Sequence, residues 1–393
     1  MHLHYTAEEE AFRRELLDFL DRELPADWEG GDAFGEEEGD EQAAWEFRTQ
    51  FTRKLADRGW LAMAWPKEYG GLGASHMQQL IYNEVMSYHS APGAFSMGVA
   101  WVGPAVMLYG TDEQKRTYVP RIASGEDVWC TLYSEPAAGS DLAALQARAV
   151  MDGDDFVING QKVWTSNAHR SQWGWLAART NADVPKHKGI STFVVDMATP
   201  GVTVRPLINM AGMRGFSEVF FDDVRIPKEN LVGELNRGWY QVAVALDFER
   251  SGIQTYAGVR RTLERLVAFV RSASPEVTRN PQVRLRLADR AVELEVGTFM
   301  AYRVAWMQSQ GLIPNYEASI SKVYGSELAQ RVALTGSQLV GTYGGLWPGT
   351  ARAPLKGRLS RGYVSAVGAT IAAGTSEIMR NIIAQRGLGL PRD

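Results

Sequence analysis

The chain of 393 residues has one cysteine, Cys130. No disulfide can form within it, and no CxxC metal or redox pair exists. A lone free thiol of this kind reads as a small core residue rather than a nucleophile, and a reduced, cytoplasmic setting fits it. Positive charge is not in excess. Lys and Arg number 41 against 46 Asp and Glu, for a formal net charge of −5. Such a surface is not built to hold polyanions, so nucleic acid is not an expected partner. Long hydrophobic runs are missing too. The longest nearly uncharged apolar stretch, MGVAWVGPAVMLY (97–109), is too short to span a bilayer and contains Gly-Pro. The opening MHLHYTAEEEAFRRELLDFLDREL is charged throughout and lacks the apolar segment of a signal peptide. A soluble protein with no membrane span is expected.

Several signatures of chemistry are also lacking. No GxGxxG follows a predicted strand and no GxxxxGK[ST] occurs, which weakens nicotinamide and P-loop readings. AFSMG (94–98) approaches GxSxG, but Ala94 replaces its first glycine and the region reads as helix. The six histidines are scattered and none forms HExxH, so no metal site is expected.

What is present divides into three parts. Residues 1–128 read as helical. Phe12, Leu16, Leu17, Phe19 and Leu20 recur with a helical period, EQAAWEFRTQFTRKLADRGW forms a second helix, and Thr111 is placed to cap TDEQKRTYVPRI. WPKEYGGLGAS marks a turn, and the acidic run GEEEGDE (35–41) reads as a solvated loop. Residues 129–235 are β-rich. GISTFVVDM, GVTVRPL and SEVFFDDVRIP carry β-branched and aromatic residues between Gly and Pro. Asn159-Gly160 predicts a type I′ hairpin, and about seven strands in a small barrel or sandwich are expected. Residues 236–393 are helical again: a proline-free run of more than thirty residues from Gly238, a helix capped by Asn280 with Pro281 at its first position, and a third over about 315–339. Long antiparallel helices suggest an up-and-down bundle. The expected class is multi-domain α+β: an N-terminal α-helical domain, a middle β-barrel and a C-terminal four-helix bundle.

Two stretches of the β-part carry chemistry. CTLYSEPAAGSD (130–141) combines small residues that let a ligand approach the backbone with the hydroxyls of Ser134 and Ser140; a turn entering a strand reads equally well. KVWTSN follows about thirty residues later, with Trp164 a flat apolar face able to cover an aromatic ring, or to fill a core. With WPKEYGGLG, YGTDEQKRTYVPRIASGE, GMRGFSEVFFDDVRIPKENLVGE and GTSEIMRNIIAQRGLGLP, their order and spacing closely resemble the acyl-CoA dehydrogenase family, over residues 5–392. The family's three-part fold agrees with the division above.

The resemblance implies FAD as cofactor and an acyl-CoA thioester as substrate. The implied reaction is α,β-dehydrogenation to the trans-2-enoyl-CoA, with electrons passing to an electron-transfer flavoprotein. Thr131, Tyr133, Ser134, Gly139 and Ser140 would line the flavin, and Ser140 would also lie along the acyl-CoA. Trp164 would flank the isoalloxazine and Ser166 would sit near N5, where the hydride arrives. Thr375 and Glu377 would contact FAD from the last helix, whose N–H groups suit a pyrophosphate. Gln338 and Gly341 would reach a neighbouring subunit's FAD, which implies a homo-oligomer, a dimer or a homotetramer.

The residue that many members use as base is absent. They place a glutamate before the glycine of GTS, where this chain has Ala373. A smaller branch keeps the glutamate on a long bundle helix, and ALDFERSGI puts Glu249 at that position. A carboxylate in a largely apolar helix is costly unless used or paired, and an apolar pocket would raise its pKa toward that of a useful base. Pairing with Arg250 or a neighbouring arginine on a solvated face is the other reading. Asp247 and Arg250 match positions near the CoA or acyl end. Ala373 retains the backbone N–H that the family aims at the thioester oxygen, a donor worth about 3 kcal/mol.

The chain also departs from the pattern. After the first bundle helix the family often has Arg-x-x-Phe-Gly; here Arg271 fits, but Ser274 and Pro275 replace the aromatic and the glycine. The loop from Thr342 to Arg361 resembles a branch acting on bulky, branched or ring-bearing acyl-CoAs, some of it heteromeric. Two other functions stay open: a non-catalytic subunit of a heteromeric dehydrogenase, and a relative that uses oxygen as an oxidase or monooxygenase.

Overall fold

The computed structural model describes residues 4–30, 41–245 and 251–392. The chain folds as two compact units, one of residues 1–30, 75–91 and 250–393, the other of residues 31–74 and 92–249.

The first unit is helical. The helix Ala7–Glu23 starts at Thr6, which forms a reciprocal capping box with Glu9. Ser75 and Gln78 do the same for His76–Tyr88. Four helices give the expected bundle: Ile253–Arg271, Pro281–Ser309, Tyr316–Leu339 and Arg358–Ala369. Asn280 caps the second, accepting from Gln282 N with Pro281 next, as its sequence predicts. The core gathers Leu80, Ile253, Tyr256, Leu263, Leu294, Ala301, Leu328 and Val332. Tyr256 is its wedge. A Cβ on Gly297 would meet its ring at 2.2 Å, so close helix packing requires that glycine, and its hydroxyl donates to Ser321 O at 2.7 Å. The long helix expected from Gly238 is interrupted. Gly238–Ala245 is a helix of the second unit, and the helix of this unit begins at Ile253 after Gly252, whose φ of +71° breaks the helical path.

The second unit is built on one sheet. Its strands are β1 Trp129–Leu132, β2 Arg148–Asp152, β3 Asp155–Ser166, β4 Trp173–Arg179, β5 Ile190–Asp196, β6 Val202–Leu207, β7 Phe216–Pro227 and β8 Leu231–Val232. Among the described residues that is one strand more than expected. The order is β6-β7-β3-β2-β4-β5-β8, with β1 parallel to β4. Alternate residues of β3, β4, β5 and β7 fill the core, including Phe156, Ile158, Leu176, Phe193, Val219 and Val224. Cys130 lies in the same core, and burial pushes its thiol up to about 12, which makes it inert as a nucleophile. Helices Glu41–Ala56, Gly103–Tyr109, Asp112–Ala123 and Gly238–Ala245 also belong to this unit. Thr111 caps the helix Asp112–Ala123, in a capping box with Gln114.

The Asn159-Gly160 hairpin is not formed. β2 and β3 instead turn at Gly153-Asp154, with Gly153 at φ +66° and Asp152 paired to Asp155. Asn159-Gly160 lies inside β3 at a register shift against β7. Asn159 exchanges hydrogen bonds there with Asp223, and a Cβ on Gly160 would meet Ala147 at 2.6 Å. Both dipeptides are turn formers, and the glycine that must pack flat on a neighbouring chain goes to the bulge.

Candidate active site

The expected site residues divide between the two units. Those of the β-rich unit lie on β1, on the loop that follows it and at the end of β3. β1 sets Thr131 opposite Trp175, and the Thr131 hydroxyl lies 3.5 Å from the sulfur of Met97. Tyr133 buries a hydroxyl with no hydrogen-bond partner among the described residues, and burial raises its pKa. The loop turns back on itself through reciprocal Glu135 and Ala138 backbone bonds at 3.0 Å. Gly139 and Ser140 are exposed. A Cβ on Gly139 would meet nothing within 4 Å, and its φ is not left-handed. Packing within the chain therefore gives no reason for a glycine there, while close approach by a ligand does.

KVWTSN is the most strained segment of this unit. The pairing of β3 with β7 breaks between Lys162 and Thr165. In that break Trp164 stands at φ +60° with 60% of its surface exposed. Asn167 is left-handed as well, at φ +56°. A non-glycine residue in this region costs about 1–3 kcal/mol, and such residues cluster at ligand sites. Phe216 supports the Trp164 ring edge-on, at 6.2 Å between centroids. Ser166 is buried, and so is the hydroxyl of Thr165, which has no hydrogen-bond partner among the described residues.

Beneath this segment is an ion pair that sequence reasoning missed. Lys162 is fully buried and its ammonium lies 2.7 Å from Glu135, whose side chain is 6% exposed. Lys162 also donates to Tyr133 O at 3.1 Å. Glu135 accepts from Gln146 N at 2.5 Å and Ala147 N at 2.9 Å. Burial pushes the Lys162 ammonium down to about 8, against the upward pull of Glu135. β3 reads DFVINGQKVWTS, and among its other polar residues Lys162 carried no signal of its own.

In the helical unit one group of candidate residues lies at the turn of Ala373, which is left-handed at φ +52° and followed by Gly374 at φ +89°. Thr375 caps the helix Ser376–Ile382 by accepting from Ile378 N at 3.2 Å. The Glu377 carboxyl is held below its usual range by its own backbone N–H and by the Thr375 hydroxyl. Two donors at this short helix end are thus already engaged. The missed residue is Lys322, which donates to Gly374 O at 2.5 Å from the helix Tyr316–Leu339. Gln338 is exposed and accepts from Arg286 at 3.3 Å. Gly341 stands at φ +60° with open space where a Cβ would be. After it, Thr342, Tyr343, Leu346, Thr350, Ala351 and Arg352 line an open cavity of about 370 Å³. Arg271 is exposed at the end of its helix. Ser274 and Pro275 begin a short helix, Pro275–Arg279. The assignments of Asp247, Glu249 and Arg250 lie outside the described residues.

Three family models match the chain in succession: acyl-CoA dehydrogenase N-terminal domain over residues 6–126, middle domain over 130–224 and C-terminal domain over 236–388. Acyl-CoA dehydrogenase FadE26 of Mycobacterium tuberculosis is 36% identical over 403 residues, covering 100% of this chain and 99% of that protein. Acyl-CoA dehydrogenase IpdE1 of the same organism is 35% identical over 359 residues, covering 90% and 91%. Among solved structures, the ChsE4-ChsE5 complex from Mycobacterium tuberculosis matches with a TM-score of 0.89 and 35% identity, covering 100% of both chains. The Tcur3481-Tcur3483 steroid ACAD matches at 0.87 and 33%, also covering 100% of both. No described helix is long and apolar enough to cross a membrane. With all three models in order and such identity along nearly its whole length, this chain belongs to the acyl-CoA dehydrogenase family of flavoprotein oxidoreductases.

Proposed function

We propose that this protein is an FAD-dependent acyl-CoA dehydrogenase that introduces a trans-2 double bond into a bulky, ring-bearing acyl-CoA, with Glu249 as base. The observation that carries the reading is Trp164, a left-handed aromatic residue exposed at a break in a sheet. The chain's own packing does not account for holding an indole there, and a flat ring laid against it does. The open side of Gly139 and the unpartnered hydroxyl of Thr165 fit a flavin in the same way.

Thr131, Tyr133, Ser134, Gly139, Ser140, Trp164 and Ser166 would hold the flavin, with Thr375 and Glu377 as further contacts. Arg271, Gln338 and Gly341 would serve a neighbouring subunit's FAD. When bound, FAD supplies the acceptor for the hydride of the β-carbon. Glu249 takes the α-proton as that bond weakens. The N–H of Ala373 donates to the thioester oxygen, where negative charge grows. Asp247, Arg250 and Ser140 orient the thioester. An electron-transfer flavoprotein would be the partner that takes up the electrons.

The bulky acyl group is supported by the relatives, one titled a steroid ACAD, and by Ala373, which leaves room where a glutamate would stand. A heteromeric assembly has its own support. Ser274 and Pro275 open a helix where the family has an aromatic and a glycine, and one matching structure is titled a complex of ChsE4 and ChsE5.

The test is the visible spectrum of the purified protein under anaerobic conditions, before and after adding short-chain, branched and steroid-derived acyl-CoAs. Bleaching of the flavin band with ring-bearing thioesters first is the expected result. A colourless protein that takes up no added FAD would point to the non-catalytic subunit, and rapid reoxidation by air to an oxidase. Glu249→Gln should bind FAD and acyl-CoA yet lose about 10²–10⁴-fold in turnover. Near-normal turnover would remove Glu249 from the mechanism.

A further inference from the structure

Lys162 and Glu135 form a closed set of bonds. Lys162 Nζ reaches the Glu135 carboxylate at 2.7 Å and the Tyr133 carbonyl at 3.1 Å. Glu135 in turn takes the N–H groups of Gln146 and Ala147. Val163 N donates to Ser134 O at 2.9 Å. Residues 133–135 are therefore tied to residues 162–163, and the loop's far end to the same carboxylate. Arg179 closes the loop from the other side, donating to Ala143 O at 2.6 Å and Leu145 O at 3.2 Å. The next residue after the tie is Trp164, where pairing with β7 has lapsed. Pairing with β7 resumes at Thr165, so the backbone at Trp164 is held from one side by that pairing and from the other by the tie at residues 162–163.

We propose that Glu135 and Lys162 are positioning residues for the flavin: the buried pair fixes the Tyr133–Glu135 loop against β3, and thereby sets the stance of Trp164 and the direction of the Ser134 backbone. The inference rests on the flavin reading above. It gives the pair a task beyond stability. A buried ion pair is weak evidence for stability, since well-packed apolar residues often replace one without loss. Its value here is geometric, because each partner has several bonds and only one arrangement satisfies them all.

The test uses the double variant Glu135→Gln/Lys162→Met in the full chain, which leaves no unpaired buried charge. The single variant Lys162→Met strands a carboxylate, whose cost would mix with any effect on position. Two properties are measured well below the unfolding temperature. One is iodide quenching of Trp164 in protein stripped of cofactor, read as the difference between each protein and its Trp164→Phe counterpart. The other is FAD affinity together with the visible circular dichroism of bound flavin. Positioning predicts altered Trp164 quenching, FAD affinity weakened roughly tenfold and a changed flavin signal. A merely structural pair predicts a lower unfolding temperature with quenching, FAD affinity and the flavin signal unmoved, and that result would overturn the proposal. If the unaltered protein takes up no FAD, the flavin reading fails by itself. Trp164 quenching then still decides whether the pair sets the indole, and unchanged quenching overturns that claim too.

Discussion

Two lysines, one in each unit, donate to a backbone carbonyl within a stretch assigned here to the flavin. Lys162 donates to Tyr133 O and Lys322 to Gly374 O. The surroundings differ. Lys162 is fully buried and shares its charge with Glu135. Lys322 is half-buried, and its described hydrogen bond is to the carbonyl; Glu327 and Glu377 act on it only through space. Each stands near a strained non-glycine residue, Trp164 or Ala373. A buried charge with a buried partner cannot shift without stranding the other, so it makes a stiff support. A half-wet lysine can exchange its carbonyl for water at small cost. The β-rich stretch is thus held firmly, and the turn at Ala373 is held by a bond that can yield.

The comparison is tested most severely at Lys162. Lys162→Met should cost about 3–5 kcal/mol, because Glu135 is left buried and unpaired; urea unfolding measures it. The pH dependence has a definite sign. Burial lowers the native ammonium to about 8 from 10.5. Below about 8 both folded and unfolded states hold the proton, and the cost of burying it is constant. Between about 8 and 10.5 the unfolded chain binds more protons, so this group makes stability rise with pH. The wild type should gain on Lys162→Met across that window. A gap between the two that is flat from pH 7 to 10.5 would mean that Lys162 is not buried as a charge.

The same contrast explains what the sequence disclosed. The helix starts at Thr111 and Asn280 were legible, because a cap and its first turn are local. The three-part order was legible in the change from helical to β-rich patterning and back, and the family in the order of its motifs. Lys162 and Glu135 were both inside quoted motifs, yet their pairing was invisible, since 27 residues separate them and only the sheet brings them together. Asn159-Gly160 misled because turn chemistry is equally good chemistry for a bulge, and tertiary packing against Ala147 made the choice. The left-handed backbone of Trp164 and Ala373 had no signal at all. Neither indole nor alanine favours that region, and strain imposed by surroundings leaves no mark in residue type.

A smaller effect is expected at Lys322. Lys322→Met removes a charge-assisted bond, but the lysine is half in water, so about 1 kcal/mol of stability is at stake. Its larger consequence should be on the turn. The Gly374 carbonyl and the Thr375 N–H belong to one planar peptide and point in opposite directions. Freeing the carbonyl frees that peptide, two peptide units along the chain from the one that carries the Ala373 N–H. Turnover should fall about tenfold, and more than affinity for the thioester does. Equal stability losses at Lys162 and Lys322 would erase the distinction between stiff and yielding supports.

The smallest effect is expected at Ala373 itself. An L-residue at φ +52° carries strain of about 1–2 kcal/mol. Glycine relieves that strain but gives back about 0.4–1 kcal/mol through the freer unfolded chain. Ala373→Gly should therefore stabilise the protein by roughly 0.5–1 kcal/mol, readable in its urea midpoint. Its turnover separates two meanings of the strain. If stability rises and turnover is unchanged, the left-handed alanine is a residue of history that the turn tolerates. If stability rises while turnover falls, the strain aims the backbone N–H, and the yielding support at Lys322 exists to let that N–H adjust as charge develops on the thioester oxygen.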